Sequence, residues 1–365
     1  KEACMLKETD MSKKGLLAFS DCLSVVPSLV IDSIEEIAGR DGPDYRACIR
    51  AEGVSQQIVY LEIKTLGTPK SAREAVNLLL RTLQAETGAY GVFVAPYISP
   101  SSAALCQEAG IGYVDLSGNC RIAFQRVFVS REKMGNQYSL NTGLKSIYSP
   151  KSERILRVLL DSPYQPWKAI DLAEESQVSL GMITQVSKKL IEEEWLKKTP
   201  QGIVLTQPES LLADWVNTYT LKRSVQYNFY TLKPLREVES EIAEVCDRLN
   251  IPYALTGFSA SNRLAPMVRG QRAMIYIQRD VHLIAEPVGL KSVDSGANIT
   301  LIQPYDDGVF WNAQPMDDLQ VANPIQVYLD LKRYPGRGEE AADFLYREVI
   351  DPRWQQQKMN MTTSS

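Results

Sequence analysis

Two carboxylates and an ammonium have the types and spacing for chemistry. Asp44 follows Pro43, and after seventeen intervening residues comes Glu62-Ile63-Lys64. On a β-strand, residues two apart share a face, so Glu62 and Lys64 point the same way. A hairpin between the two stretches returns Asp44 beside them. Such a group can hold Mg²⁺ against a phosphate, where the cation activates water and Lys64 offsets developing charge. Glu35 or Glu36, on the preceding helix, can supply a further carboxylate. The plainer alternative is an idle triad that only joins two strands. The single histidine, His282, has no nucleophile motif beside it and reads as a structural residue on a strand. Six cysteines are scattered without a C-x-x-C pair, which argues for reduced thiols and against a zinc cluster or a disulfide framework.

The elements around the acids read as α/β. Ser28–Gly39 has the spacing of a helix, with Val30, Ile31, Ile34 and Ile37 on one face and Gly39 as its stop. Asp44–Arg50 and Gln57–Lys64 read as strands, with a hairpin loop over 51–55. The spacing then gives a helix at Ser71–Glu86, a buried strand at Ala89–Ala95, a helix at Ser99–Ala109 and a strand at Gly112–Asp115. Arg121–Phe124 and Val127–Ser130 form a last hairpin. Asp115 either faces the same sheet edge as the triad or opens a turn through Gly118 and Asn119, and the turn is favoured. Helices covering a mixed sheet follow from this order.

These residues resemble the PD-(D/E)xK nuclease superfamily. The resemblance rests on Pro43-Asp44, on Glu62-Ile63-Lys64 and on the Mrr-like order of strands and helices after them. It implies a restriction-endonuclease-like domain over 1–130, with Asp44 and Glu62 as metal ligands and Asp44, Glu62 and Lys64 as the catalytic set. Gln84 is the nearest residue to the family's fourth position.

A polar stretch, 131–145, separates the next part. Ser152–Asp161 and Trp167–Gln177 read as helices, Val178-Ser179 as a tight turn with Ser179 as N-cap, and Leu180–Trp195 as a third helix. Lys197–Leu205 reads as a β-wing around Pro200-Gln201-Gly202. This is the winged helix-turn-helix order, expected over 148–231. The exposed face of its third helix carries Gly181, Thr184, Gln185, Lys188 and Lys189. Thr184 and Gln185 suit base edges, while Lys188 and Lys189, with Lys197, Lys198 and Gln201 on the wing, suit phosphates. Double-stranded DNA is the expected partner, and a protein-contact role for the same face is the alternative. Glu209–Tyr230 reads as one long trailing helix. Its aromatics Tyr227, Phe229 and Tyr230 suit a neighbouring domain or a second copy, so a homo-oligomer is an allowed state.

The last part, 234–354, has a helix at Arg236–Leu249, a strand breaking into a Gly turn at Tyr253–Ser259, a helix at Asn262–Val268 and a strand at Ala273–Ile277. The order resembles a nucleotidyltransferase α+β fold, but Met274-Ile275-Tyr276-Ile277 carries no paired acids, so the domain reads as inactive or as a binding module. The stretches at 294–298, 304–310, 323–331 and 336–342 resemble the AbiEi family, antitoxins of type IV toxin–antitoxin systems. So do Ala95–Pro100, Tyr113–Asn119 and Thr256–Ser259. This resemblance implies a winged-helix repressor of its own operon, partnered by a nucleotidyltransferase-like toxin or another defence protein. Simpler members put the winged helix first, whereas here a nuclease-like domain precedes it.

The whole chain is expected to be α/β multidomain. With 44% hydrophobic and 23% charged residues it is ordinary for globular domains, and its net charge of −4 requires any DNA surface to be local. Apolar runs fall short of the ~20 residues of a membrane span, and Asp21 cuts the stretch Leu16–Phe19 short, so a cytoplasmic protein without a signal core is expected. The tail after Trp354 reads as disordered. Two functions stay open: a DNA-binding transcriptional regulator of a toxin–antitoxin or phage-defence operon, which needs no cofactor, and a Mg²⁺-dependent DNA endonuclease. Asp44, Glu62 and Lys64 separate them.

Overall fold

The computed structural model describes residues 8–37, 42–51, 54–132, 135, 137–138, 146–266 and 272–363. Most of the linker expected over 131–145 lies outside them, as do Cys4, Gly39, residues 52–53 of the hairpin loop and the end of the helix expected at Asn262–Val268. The chain divides into two units, 1–145 with 189–194, and 146–188 with 195–365. Among the described residues no helix is long and apolar enough to cross a membrane.

The first unit opens with α1 (Glu8–Leu23), followed by β1 (Leu29–Glu36), β2 (Tyr45–Ala51), β3 (Val54–Ile63), α2 (Pro69–Ala85), β4 (Tyr90–Ala95), α3 (Pro100–Glu108), β5 (Gly112–Asp115), β6 (Cys120–Phe124) and β7 (Val127–Arg131). The strands form one seven-stranded sheet in sequence order. The pairs β3–β4 and β4–β5 are parallel and the rest antiparallel. Strand residues alternate between two cores. Val59, Leu61, Val92 and Val94 join Met11 and Phe19 of α1. Tyr60, Phe93 and Ala95 join Ala72, Ala75 and Leu79 of α2 and Cys106 of α3. Both faces of the central strands are therefore dry, as their continuous apolar runs require.

Two expectations fail here. The N-terminal α1 was not foreseen, because only Leu16–Phe19 marks it as apolar. The helix expected over Ser28–Gly39 is the strand β1. Its ladder with β2 carries a register shift between Ile31 and Ser33. That bulge flips the alternation, so the inward residues fall at Leu29, Ile31 and Ile34 and imitate helical spacing.

The second unit begins with α4 (Pro150–Asp161), α5 (Ala169–Glu175) and α6 (Leu180–Glu192), although 189–194 group with the first unit. Then come β8 (Leu196–Thr199) and β9 (Gly202–Leu205), a two-stranded antiparallel sheet, and α7 (Pro208–Thr218). The long helix expected over Glu209–Tyr230 stops at Thr218. A 3₁₀ turn, Leu221–Arg223, leads into β10 (Val225–Tyr230). Val225-Gln-Tyr-Asn-Phe-Tyr has strand propensity, and Phe229 is buried rather than exposed.

The chain continues through α8 (Leu235–Leu249), β11 (Tyr253–Thr256), α9 (Gly257–Leu264), β12 (Ala273–Ile277), α10 (His282–Val288), β13 (Lys291–Ser292), β14 (Ile299–Gln303), β15 (Gln314–Met316), β16 (Leu319–Val321), α11 (Pro324–Lys332), α12 (Gly338–Leu345), a π-helical turn over Tyr346–Ile350 and α13 (Asp351–Thr363). Seven strands form a second sheet in the order β13-β10-β14-β12-β11-β16-β15. The helix after β11 starts at Gly257, earlier than expected. His282 opens α10 instead of lying on a strand, exposed and edge-on to Tyr227 and Phe229. The tail is helical to Thr363, because Trp354 is buried with its Nε1 donating to the Leu160 carbonyl at 2.8 Å.

Candidate functional site

The hairpin of β2 and β3 brings the acidic pair together. Tyr45 pairs with Leu61, which sets Asp44 across from the end of β3. Asp44 Oδ2 accepts from the Ile63 amide at 2.7 Å. Lys64 Nζ lies 2.7 Å from Glu62 Oε1, so the two residues do share a face. Glu62 is buried, while the Lys64 side chain is about one-third exposed. Burial pushes the Glu62 carboxyl up, and the negative charge of Asp44 adds to this, against the pull of Lys64. Burial pulls Lys64 down, but its bond to Glu62 outweighs that and leaves the ammonium raised, with Asp44 and Glu74 contributing.

Glu62 Oε2 is buried and finds no hydrogen-bond partner among the described residues. An orphaned carboxylate oxygen beside a second carboxylate fits a hard cation held by two protein ligands, the usual number for Mg²⁺ at a phosphate-handling site. Among the described residues no group of three or more acidic, histidine or cysteine side chains gathers at metal spacing. Glu35 and Glu36 are therefore not further ligands. They are exposed on β1, a strand, rather than on a helix before the hairpin. Gln84 is also displaced. Glu74, near the start of α2, is the residue of that helix whose charge reaches Lys64. Gln84 lies ten residues further on, roughly 15 Å along the axis. Sequence reasoning missed Glu74, and its place one turn into the helix after Lys64 was the available signal. Asp115 takes the turn role: its carboxylate accepts from the Asn119 amide at 2.9 Å, Asn119 Nδ2 at 2.8 Å and the Ile98 amide at 3.1 Å.

The basic residues of the middle part divide. On α6, Ile183, Val186 and Leu190 are buried, so Gly181, Thr184, Gln185 and Lys188 fall on the exposed side. Lys197, Lys198 and Gln201, on the β8–β9 hairpin, are exposed as well. Lys188, Lys197 and Lys198 enter no ion pair among the described residues. Lys189 departs from the expectation. It is half-buried, it groups with the first unit, and burial lowers its pKa against the opposing charge of Glu193. It is not presented beside Lys188. Thr184 also departs: its hydroxyl donates to the Leu180 carbonyl at 3.0 Å, so that proton is committed to the helix.

In the second sheet, β12 is buried and carries no acid, as read from the sequence. The acid nearest to it comes from α11. Asp330, fully buried, accepts from Thr256 Oγ1 at 2.5 Å, Tyr219 at 2.5 Å, Tyr276 at 2.9–3.0 Å and Gln326 Nε2 at 3.0 Å. Gln326 Oε1 in turn accepts two bonds from Arg157 of α4 at 2.7 and 2.9 Å. The network was overlooked in the sequence. Its signal was Gln326 and Asp330, four residues apart within the apolar run Ile325–Leu331.

Comparison with known proteins adds three findings. No curated protein matches the chain. The solved structure titled "Structure of EndoMS in apo form" is similar over 30% of this chain and 47% of that one, at 15% identity and a TM-score of 0.22. The chain thus spans under half of that protein's length. Residues 204–351 match the family model "Transcriptional regulator, AbiEi antitoxin, Type IV TA system". By that match the C-terminal part of the chain is similar to the AbiEi antitoxin family.

Proposed function

We propose that this protein is a cytoplasmic, DNA-binding transcriptional regulator of the antitoxin type, whose reader is a winged helix-turn-helix over 148–231. The observation that carries the reading is the exposed set Thr184, Gln185 and Lys188 on α6, with Lys197 and Lys198 on the β8–β9 hairpin. A helix that follows a tight turn and presents polar and cationic side chains, beside a two-stranded hairpin with two more lysines, suits a duplex groove and its flanking phosphates. The antitoxin family of 204–351 supports regulation of an operon. In this reading 1–130 is a nuclease-like scaffold, 234–354 is a nucleotidyltransferase-like module without its acids, and the partner is a nucleotidyltransferase-like toxin or another defence protein.

The test is a mobility shift of the intact chain on DNA from its own promoter region. Lys188→Ala with Lys198→Ala is expected to weaken binding more than tenfold. The pair should also lower the log-affinity against log-salt slope by about two, one per phosphate contact. An unchanged affinity would remove the groove assignment.

One observation favours a second reading, the orphaned Glu62 Oε2 beside Asp44. In it the chain is a Mg²⁺-dependent deoxyribonuclease. Asp44 and Glu62 would hold the cation, which when bound supplies an activated water and charge for the leaving oxygen. Lys64 would place its ammonium against the scissile phosphate.

A further inference from the structure

We propose that Leu180 and Thr184 read the 5-methyl group of thymine, so that the duplex this chain binds carries an A·T pair against the first turns of α6. The inference rests on the DNA-reader reading above and adds what that reader recognises.

A single exposed leucine is ordinary on a protein surface. Leu180 is distinguished by its stripe. It is 50% exposed, while the core-facing residues Ile183, Val186 and Leu190 of the same helix are at most 1% exposed. Residues four apart lie one above the other on a helix, so Leu180, Thr184 and Lys188 line one exposed edge. That edge runs from an alkyl group, through a threonine, to a free cation. The lysine end fits a polyanion and disfavours a purely apolar partner.

The middle residue points to the base class. The Thr184 hydroxyl proton is spent on the Leu180 carbonyl. What Thr184 still offers is a methyl group and acceptor lone pairs. Two neighbouring positions therefore present carbon where a helix selecting guanine would present donors. In the major groove the one apolar group is the thymine methyl, and apolar side chains are its usual readers. Gly181 lies beside Leu180. A Cβ built there would meet only Ser179 Oγ, at 3.9 Å, so nothing at that position holds the helix away from a groove floor.

The test begins with selection of a preferred duplex from a randomised library by the intact chain. Each thymine of that duplex is then replaced by deoxyuridine, which removes only the methyl, and affinity is read by fluorescence anisotropy. At one or two positions the loss is expected to be about fourfold, the worth of one buried methyl group. Leu180→Ala should weaken the thymine duplex by at least as much and erase the difference between thymine and uracil. Thr184→Val, which keeps the methyl, should bind as the parent does, whereas Thr184→Ser should not. Lys188→Ala should weaken both duplexes equally. Parent binding that ignores uracil at every position, or a Leu180→Ala chain that still senses it, overturns this inference while DNA binding stands. Selection that enriches no sequence, with binding indifferent to Lys188→Ala and Lys198→Ala, overturns the DNA reader itself and this inference with it.

Discussion

Lys64 answers Glu62 across two positions of one strand, and the pair sits in a place where neither charge is comfortable alone. Glu62 is almost wholly out of water, and its second oxygen has no donor among the described residues. Removing the ammonium leaves a buried carboxylate unpaired, at about 1–3 kcal/mol. Lys64→Ala is therefore expected to lower the urea midpoint at pH 7. The loss should shrink toward pH 5, because the folded Glu62 pKa lies above its usual value and protonation then relieves the unpaired charge. Added Mn²⁺ should restore part of the lost stability by mass action if Asp44 and Glu62 hold a cation. Recovery with Mn²⁺ that vanishes when Glu62→Ala is added supports the nuclease reading, and no recovery sinks it. At this scale the sequence was informative: period two on a strand put Glu62 and Lys64 on one face, and the hairpin returned Asp44. The further carboxylate was misplaced because Glu35 and Glu36 were read on a helix that does not exist.

Element type was legible wherever one period ran unbroken. The spacing of α2, α4, α6 and α8, and the continuous apolar run of β4, each admitted one reading. Where a local feature broke the period, the reading failed. The bulge in β1 made a strand imitate a helix. The 3₁₀ turn after Thr218 let the periodicity of α7 seem to run on into β10. The β8–β9 hairpin around Gly202 was read correctly as strand, turn and strand because its turn chemistry is strict. Gly202 has φ +143°, a region that favours glycine, and a Cβ there would run into the Trp167 carbonyl. That carbonyl accepts from the Ile203 amide and the Trp167 amide donates to Ile203 O, both at 2.8 Å, which ties the hairpin to the start of α5. Gly202→Ala should cost about 1–3 kcal/mol through backbone strain. In the regulator reading it should also weaken DNA binding while leaving Lys197 and Lys198 in the chain. Thermal melting and a mobility shift check the two effects, and a variant that melts with the parent would show that the hairpin tolerates the extra atom.

Across the second unit a buried polar network joins helix α4 to the second sheet, through Arg157, Gln326 and Asp330, with Tyr219, Tyr276 and Thr256 completing it. Such a chain of hydrogen bonds has one satisfied arrangement, and it gives a physical reason why 146–188 and 195–365 behave as one unit. No periodicity argument finds it, because its members lie up to 173 positions apart along the chain, from Arg157 to Asp330. Its cost is electrostatic. Burial pushes the Asp330 carboxyl up to about 6 from 3.8, even though Thr256, Tyr219, Tyr276 and Gln326 all pull it down. A carboxyl whose folded pKa exceeds its unfolded one favours the folded chain most in acid, and that contribution is lost as pH rises from about 4 to about 6. Asp330→Asn removes the titration while keeping the shape. Relative to the parent, the variant should therefore gain stability between pH 4.5 and pH 7, on the order of 2–3 kcal/mol across the full window. Urea unfolding of both chains at the two pH values measures the difference. A parent and variant that keep a constant gap would mean that Asp330 is already ionised at pH 4.5, its four donors outweighing its burial.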